Sequence, residues 1–252
     1  NKNIKIMTQY HQYFGVCKSI EKVKIAMKPN GNGKAGLLWH TQGSGKSFSM
    51  VMLAHRLITN QVLQNPTIIV LTDRNDLDDQ LFNTFSSASE YLRCTPVQVN
   101  SRRDLLEKLK IMKQGGVIFS TIQKFDKDEI QVNERNNIIV MADEAHRGHY
   151  GVYERITYQE NEDTNELELI SKYGTEKYIR DSLPNATFIG FTGTPVTTAD
   201  KSTTDIYGEI IDTYDMTQSV IDGATVRIFY EGRLARVWTC LLYTSDAADD
   251  RI

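Results

Sequence analysis

The sequence predicts an α/β protein with a mostly parallel sheet flanked by helices on both faces, and three observations predict it. Short apolar runs alternate with longer amphipathic stretches along the chain. A glycine-rich octapeptide, His40-Thr41-Gln42-Gly43-Ser44-Gly45-Lys46-Ser47, falls at one junction between a run and a stretch. A carboxylate pair falls at another, where the apolar run Ile138-Ile139-Val140-Met141 leads into Asp143-Glu144-Ala145-His146.

Taken in order, the expected strands are residues 37–39, 67–71, 116–120, 138–142 and 187–191. Each is too apolar for a surface loop and too short for most helices, which is how strands covered on both faces read. The expected helices are residues 12–27, 48–58, 77–86, 101–113 and 173–182. In the second of these, Met50, Leu53, Ala54, Leu57 and Ile58 recur at three- and four-residue spacing and make one apolar face. Residues 159–168 read as a polar excursion or a solvent-exposed hairpin. No internal repeat is present.

Composition sets bounds on the function. The 252 residues are 40% hydrophobic and 24% charged, as in ordinary globular proteins. No apolar run approaches the roughly 20 residues that span a bilayer, so no membrane partner is expected. Cys17, Cys94 and Cys240 are odd in number and far apart, which suggests neither a disulfide framework nor a zinc site and favours a reducing cytoplasm. The net charge of −3 does not advertise nucleic-acid binding. Residues 160–168 alone carry five carboxylates and no base, so the average can hide a basic surface elsewhere.

The octapeptide has the chemistry of a phosphate cradle. Gly43 and Gly45 permit conformations and close approaches that a side chain blocks. Successive N–H groups and a helix N-terminus can then surround an anion. Lys46 would reach the β- and γ-phosphates and the Ser47 hydroxyl would ligate Mg2+. His40 stands where the strict pattern has glycine. The alternative is a glycine-rich turn with Lys46 solvated. At the end of the fourth strand, Asp143 would hold Mg2+, Glu144 would orient and deprotonate the attacking water, and His146 would sense the γ-phosphate or a neighbouring motif. Such a pair faces the crevice where α/β proteins bind ligands, although Asp-Glu pairs also cap helices.

Further motifs extend this reading. Gln9-Tyr10-His11-Gln12-Tyr13-Phe14 precedes the loop, and Thr72-Asp73-Arg74-Asn75-Asp76-Leu77-Asp78-Asp79-Gln80 follows the second strand. Ser120-Thr121-Ile122-Gln123-Lys124-Phe125 and Thr192-Gly193-Thr194-Pro195 follow the third and fifth. These resemble motifs of superfamily 2 helicases and translocases. The wording HTQGSGKS, TDRNDLDDQ, STIQKF, ADEAHR and LPNATFIGFTGTP closely resembles the motor (R) subunit of type I restriction enzymes, over roughly residues 5–236.

That resemblance implies a RecA-like lobe that uses ATP and Mg2+ to pull double-stranded DNA, in complex with methyltransferase and specificity subunits. Gln12 would read the adenine edge and join Thr41, Gln42, Gly43, Ser44, Gly45, Lys46 and Ser47 at the nucleotide. The family has arginine where Gln9 stands. Thr192, Gly193 and Thr194 would couple nucleotide state to DNA, and Arg74, Thr121 and Lys124 would contact DNA phosphates. Plain readings remain open: Asp76 as a helix cap, Arg74 and Lys124 as solvated charges, and residues 192–195 as a turn. Another superfamily 2 motor, a type III restriction motor or an inert nucleotide-binding fragment are the competing functions.

The expected organisation is a lead-in helix over residues 1–30, the ATP-binding domain over 31–206 and a linker over 207–236 towards a second lobe. The string Cys240-Leu241-Leu242-Tyr243-Thr244-Ser245-Asp246-Ala247-Ala248-Asp249-Asp250 resembles a translated adapter sequence, so residues 237–252 are expected to be a non-native or disordered tail. The alternative is a genuine acidic tail. With neither a nuclease domain nor a second lobe, this chain is expected to bind ATP weakly, hydrolyse it slowly and cut no DNA, since an arginine finger contributes ~10³–10⁵ in rate.

Overall fold

The computed structural model describes residues 6–72, 75–122, 133–145, 155–160, 167–172, 175–194, 197–198 and 201–227. In chain order the first half runs α1 (Tyr10–Ala26), β1 (Lys34–His40), α2 (Lys46–Ile58), β2 (Thr67–Thr72), α3 (Asn75–Ser87), α4 (Ser89–Leu92), β3 (Val97–Gln98), α5 (Arg102–Ile111) and β4 (Val117–Thr121). The second half runs β5 (Ile138–Ala142), β6 (Arg155–Glu160), β7 (Leu167–Lys172), α6 (Thr175–Ser182), β8 (Thr187–Thr192), β9 (Thr197–Thr198), β10 (Lys201–Ser202), α7 (Thr203–Tyr207), β11 (Ile210–Tyr214) and α8 (Met216–Ile221).

Seven strands form one all-parallel sheet in the order β11-β1-β8-β5-β2-β4-β3. Every residue of β2, β4, β5 and β8 is buried, which is why these strands are continuous apolar runs rather than alternating ones. Alternate side chains feed two cores. Leu38, Ile68, Val70 and Met141 pack with Val23 of α1, Leu53 of α2 and Phe85 of α3 on one face. Leu37, Ile69, Leu71 and Val140 pack with Leu105 of α5, Ile179 of α6 and Tyr207 of α7 on the other. Helices therefore cover both faces, as the sequence predicts.

The element ends differ from expectation for local reasons. Helix α1 starts at Tyr10 because Gln9 and Gln12 form a reciprocal capping box. Helix α5 starts after Ser101, whose side chain accepts from the Asp104 N–H, and stops at Ile111, ahead of two left-handed glycines at 115 and 116. Of the two readings for residues 159–168, the hairpin fits: β6 and β7 pair antiparallel from Arg155↔Lys172 to Glu160↔Leu167.

The larger difference lies at β11. It pairs with β1 from Leu37↔Ile210 to His40↔Tyr214, so the sheet continues past residue 206, where the expected domain boundary fell. A five-residue edge strand of mixed burial leaves no long apolar run to find. The expected tail and the rest of the linker, residues 228–252, lie outside the described residues. No helix among the described residues is long and apolar enough to cross a membrane.

Because all seven strands run the same way, their carboxyl ends share one edge. Strands β1, β8 and β5 are neighbours there, with Trp39 opposite Thr192 and Ala142 opposite Gly190. The octapeptide, the Thr192-Gly193-Thr194 turn and the Asp143-Glu144 pair consequently emerge side by side.

Candidate functional site

The octapeptide leaves β1 and closes into α2, whose first residue is Lys46. Its shape is held from inside. The Ser44 hydroxyl donates to the Thr41 carbonyl at 2.6 Å, the Ser44 N–H donates to the same carbonyl at 3.2 Å, and both residues are buried. The Ser44 hydroxyl and the Thr41 carbonyl are thus spent on the loop itself. What the loop offers outward is backbone: the N–H groups of Gly43, Gly45, Lys46 and Ser47 take no backbone acceptor among the described residues. Gly45 has φ 82, where any side chain is strained, and a Cβ there would come within 2.4 Å of Gln12 Nε2 and displace that amide, so the position favours glycine.

Lys46 crosses the loop. Its Nζ lies 3.3 Å from the His40 carbonyl oxygen and 3.9 Å from Glu144 Oε1. The ammonium therefore sits between the cradle and the carboxylate corner, close enough to Glu144 to register its charge.

The corner is built by continuing β5 between its neighbours. The Asp143 N–H donates to Leu71 O of β2 and the Ala145 N–H donates to Phe191 O of β8. Between them Glu144 takes a left-handed φ of 46, which a non-glycine residue adopts only under constraint. Its N–H donates back to Asp143 Oδ1 at 3.0 Å. Burial, and then the adjacent Glu144 charge, push the Asp143 carboxyl up to about 6 against the pull of that N–H and of Lys46. A carboxylate penalised in this way gains from a nearby cation. One hydroxyl, Ser47, and one carboxylate, Asp143, are oxygen donors of the kind Mg2+ takes when it is shared with phosphates. The residues present therefore fit a magnesium-bound nucleoside triphosphate.

The turn after β8 closes the third side. Thr192 Oγ1 accepts from the Thr194 N–H at 3.2 Å, and the Trp39 indole donates to Gly193 O at 3.2 Å. A Cβ at Gly193 would lie 3.3 Å from both the Gln42 nitrogen and Lys46 Nζ. The turn thus rides directly on the loop.

With the loop, the corner and the sheet edge in place, similarity to known proteins is informative. The SWI2/SNF2 ATPase family matches residues 11–241. The chain belongs to that family. The SWI2/SNF2 lobe is 46% identical over 235 residues to the type I restriction enzyme HindI endonuclease subunit of Haemophilus influenzae, covering 91% of this chain and 21% of that one. It is 36% identical over 243 residues to the putative type I restriction enzyme MjaIXP endonuclease subunit of Methanocaldococcus jannaschii, covering 92% and 20%. The chain thus spans about a fifth of the length of the curated relatives it matches. A solved structure of the ATP-dependent type ISP restriction-modification enzyme LlaBIII bound to DNA shares the fold, with a TM-score of 0.56, 15% identity and coverage of 88% of this chain and 16% of that one.

Within this SWI2/SNF2 lobe the sequence-predicted residues divide. The structure brings together Thr41, Gln42, Gly43, Ser44, Gly45, Lys46, Asp143, Glu144, Thr192, Gly193 and Thr194, with Ser47 at the start of α2. Gln12 also reaches the loop, but its amide is spent there: Nε2 donates to Ser44 O and Gly45 O at 3.2 Å each, and Oε1 accepts from the Gln9 N–H. Its geometry is that of a brace under the loop rather than an arm extended to a base. Thr121 ends β4 beside Thr72 and is only 2% exposed, so its hydroxyl meets a DNA backbone only if that strand end is uncovered. Arg74, Lys124 and His146 lie outside the described residues.

Sequence reasoning missed a set of residues behind the loop. His11 Nε2 donates to Ser44 O at 3.0 Å, and its ring stacks on Tyr214 with centroids 3.7 Å apart. His40 Nε2 meets Asp212 Oδ2 at 3.0 Å, and Asp212 Oδ1 takes Lys18 at 2.5 Å. The position of His40 in the loop was the one available signal; its partner, 172 residues away, has no local signature.

Proposed function

We propose that this chain is the ATP-binding lobe of an ATP-dependent double-stranded DNA translocase, the motor part of a type I restriction endonuclease subunit. The observation that carries the reading is the placement of Lys46 between the glycine loop and Glu144, at the carboxyl ends of the two parallel strands that flank β8. Kinship with type I endonuclease subunits supports the choice of motor.

The roles follow from position. The loop N–H groups and Lys46 would hold the β- and γ-phosphates, while Ser47 and Asp143 would hold Mg2+. When bound, Mg2+ and ATP supply the polarised γ-phosphoryl group whose cleavage drives the motor. Glu144 would orient water and take its proton on Oε1, with Lys46 tempering the carboxylate's charge. His146 would respond to the γ-phosphate. Gln12 serves the nucleotide through the loop that it braces. Thr192, Gly193 and Thr194, resting on Gln42 and Lys46, would relay nucleotide state to a DNA track that includes Arg74, Thr121 and Lys124. Methyltransferase and specificity subunits would complete the assembly, and a second lobe would supply a transition-state cation.

The test is ATP turnover by a longer protein carrying this lobe and a second one, with duplex DNA, single-stranded DNA and RNA as separate additions. Stimulation by duplex DNA that disappears in Glu144→Gln supports the reading. Stimulation by RNA alone, or turnover indifferent to Glu144, contradicts it.

A further inference from the structure

A second unit of structure encloses the back of the phosphate loop. Strand β11 and the turn after helix α8 touch the octapeptide at three successive places. Asp212 of β11 holds the His40 imidazole at 3.0 Å. The Tyr214 carbonyl accepts from the Thr41 N–H at 2.9 Å. Thr225, tied to Ser219 of α8 at 2.7 Å between hydroxyls, has its Cγ2 within 3.4 Å of where a Gly43 Cβ would stand.

The contacts are built in rather than incidental. His40 is 1% exposed, and its burial lowers its pKa despite Asp212, so a neutral ring donates Nε2–H to the carboxylate. The His11 ring lies flat on Tyr214 and also donates to Ser44 O, so it grips β11 and the loop together. Asp222, just past α8, accepts from both Tyr10 and Tyr214 at 2.6 Å and 3.0 Å. Close docking of β11 on β1 requires Gly36, where a Cβ would come within 2.5 Å of Ile211 Cγ1.

We infer that the His40–Asp212 contact is a positioning device that makes β11 and α8 move with the phosphate loop, so that nucleotide binding is felt along the segment that leaves the sheet. The inference rests on the reading of the loop as a nucleotide site. His40 touches neither phosphate nor metal in this account; it sets the loop through its own backbone, whose carbonyl also takes Lys46 Nζ. The departure from glycine at position 40 thereby acquires a purpose. A glycine there leaves the backbone bond from Thr41 to Tyr214 as the direct tie between the loop and β11, and the histidine adds a side-chain tie to Asp212.

Hydrogen exchange measured by mass spectrometry on the whole chain, with and without Mg2+ and ATP, tests this. Peptides covering residues 40–47 and 208–225 should both gain protection on nucleotide addition, the second by at least about threefold in exchange rate. In His40→Gly and Asp212→Ala the gain at 40–47 should persist while that at 208–225 is lost, and Asp212→Asn, which keeps an acceptor for Nε2–H, should restore it. Circular dichroism checks that each variant folds, and a histidine replaced by asparagine at position 40 provides a second route should glycine unfold the loop. Unchanged coupling in both His40 variants, or no change at 208–225 in the native chain while 40–47 responds, overturns the inference. No nucleotide response at 40–47 in the native chain overturns the nucleotide reading, and this inference with it.

Discussion

The phosphate loop and the carboxylate corner face each other across Lys46, yet they are held in opposite ways. In the loop the left-handed positions are glycines 43 and 45, so the backbone takes its shape without steric cost. In the corner the left-handed position is Glu144, a residue that resists it, fixed by hydrogen bonds from residues 143 and 145 to β2 and β8. The loop presents unspent N–H donors; the corner presents a carboxyl group that burial disfavours in its charged form. One half of the site is made relaxed and electropositive, the other constrained and electrostatically penalised. An anion carrying a divalent cation would relieve both at once, the cation offsetting a carboxylate penalty that Lys46 only partly relieves.

The contrast is sharpened most strongly by Glu144→Gln. Retaining shape but losing the proton acceptor, it should cut ATP turnover by a two-lobe protein about 10²–10⁴-fold with little change in ATP affinity, measured by steady-state kinetics beside calorimetry. Gly45→Ala attacks the relaxed half. Forcing a side chain into φ 82 against Gln12 should cost about 1–3 kcal/mol, read as a lowered urea midpoint.

Asp143→Asn relieves the penalised half, and should stabilise the nucleotide-free protein at pH 7 by about 1–3 kcal/mol. The sign follows from the proton balance. Its carboxyl is raised from 3.8 to about 6 in the folded chain, so between those values the folded state keeps a proton that the unfolded chain has released. Native stability therefore falls as pH rises from about 4 to 6, and the advantage of asparagine should grow over that window and level off above it. Thermal unfolding at several pH values checks this. The smallest effect is expected of Glu144→Gly, where relief of the left-handed strain, partly offset by glycine's entropy, should leave a gain below about 1 kcal/mol in the same assay.

Much of this contrast is legible in the sequence because its parts are contiguous. The octapeptide, the Asp143-Glu144 pair and the Thr192-Gly193-Thr194 turn each follow a buried strand, and buried parallel strands are continuous apolar runs. Edge strands escape the same reasoning. Strand β3 has two residues, and β11 is a five-residue edge strand of mixed burial, so neither carries a pattern. The brace formed by Gln12 and the tether between His40 and Asp212 depend on partners 33 and 172 residues away, and no spacing rule reaches that far. Thr121 shows the converse: a hydroxyl at a strand end looks available in sequence, and its 2% exposure is set by what packs over it.

The most direct measurement is calorimetric titration of the chain with ATP in excess Mg2+, run beside Lys46→Ala. Single-site binding by the native chain, weakened at least about 100-fold in the variant, is the predicted result, because the lysine ammonium stands between the loop and the corner. Equal affinity in the two proteins contradicts the account.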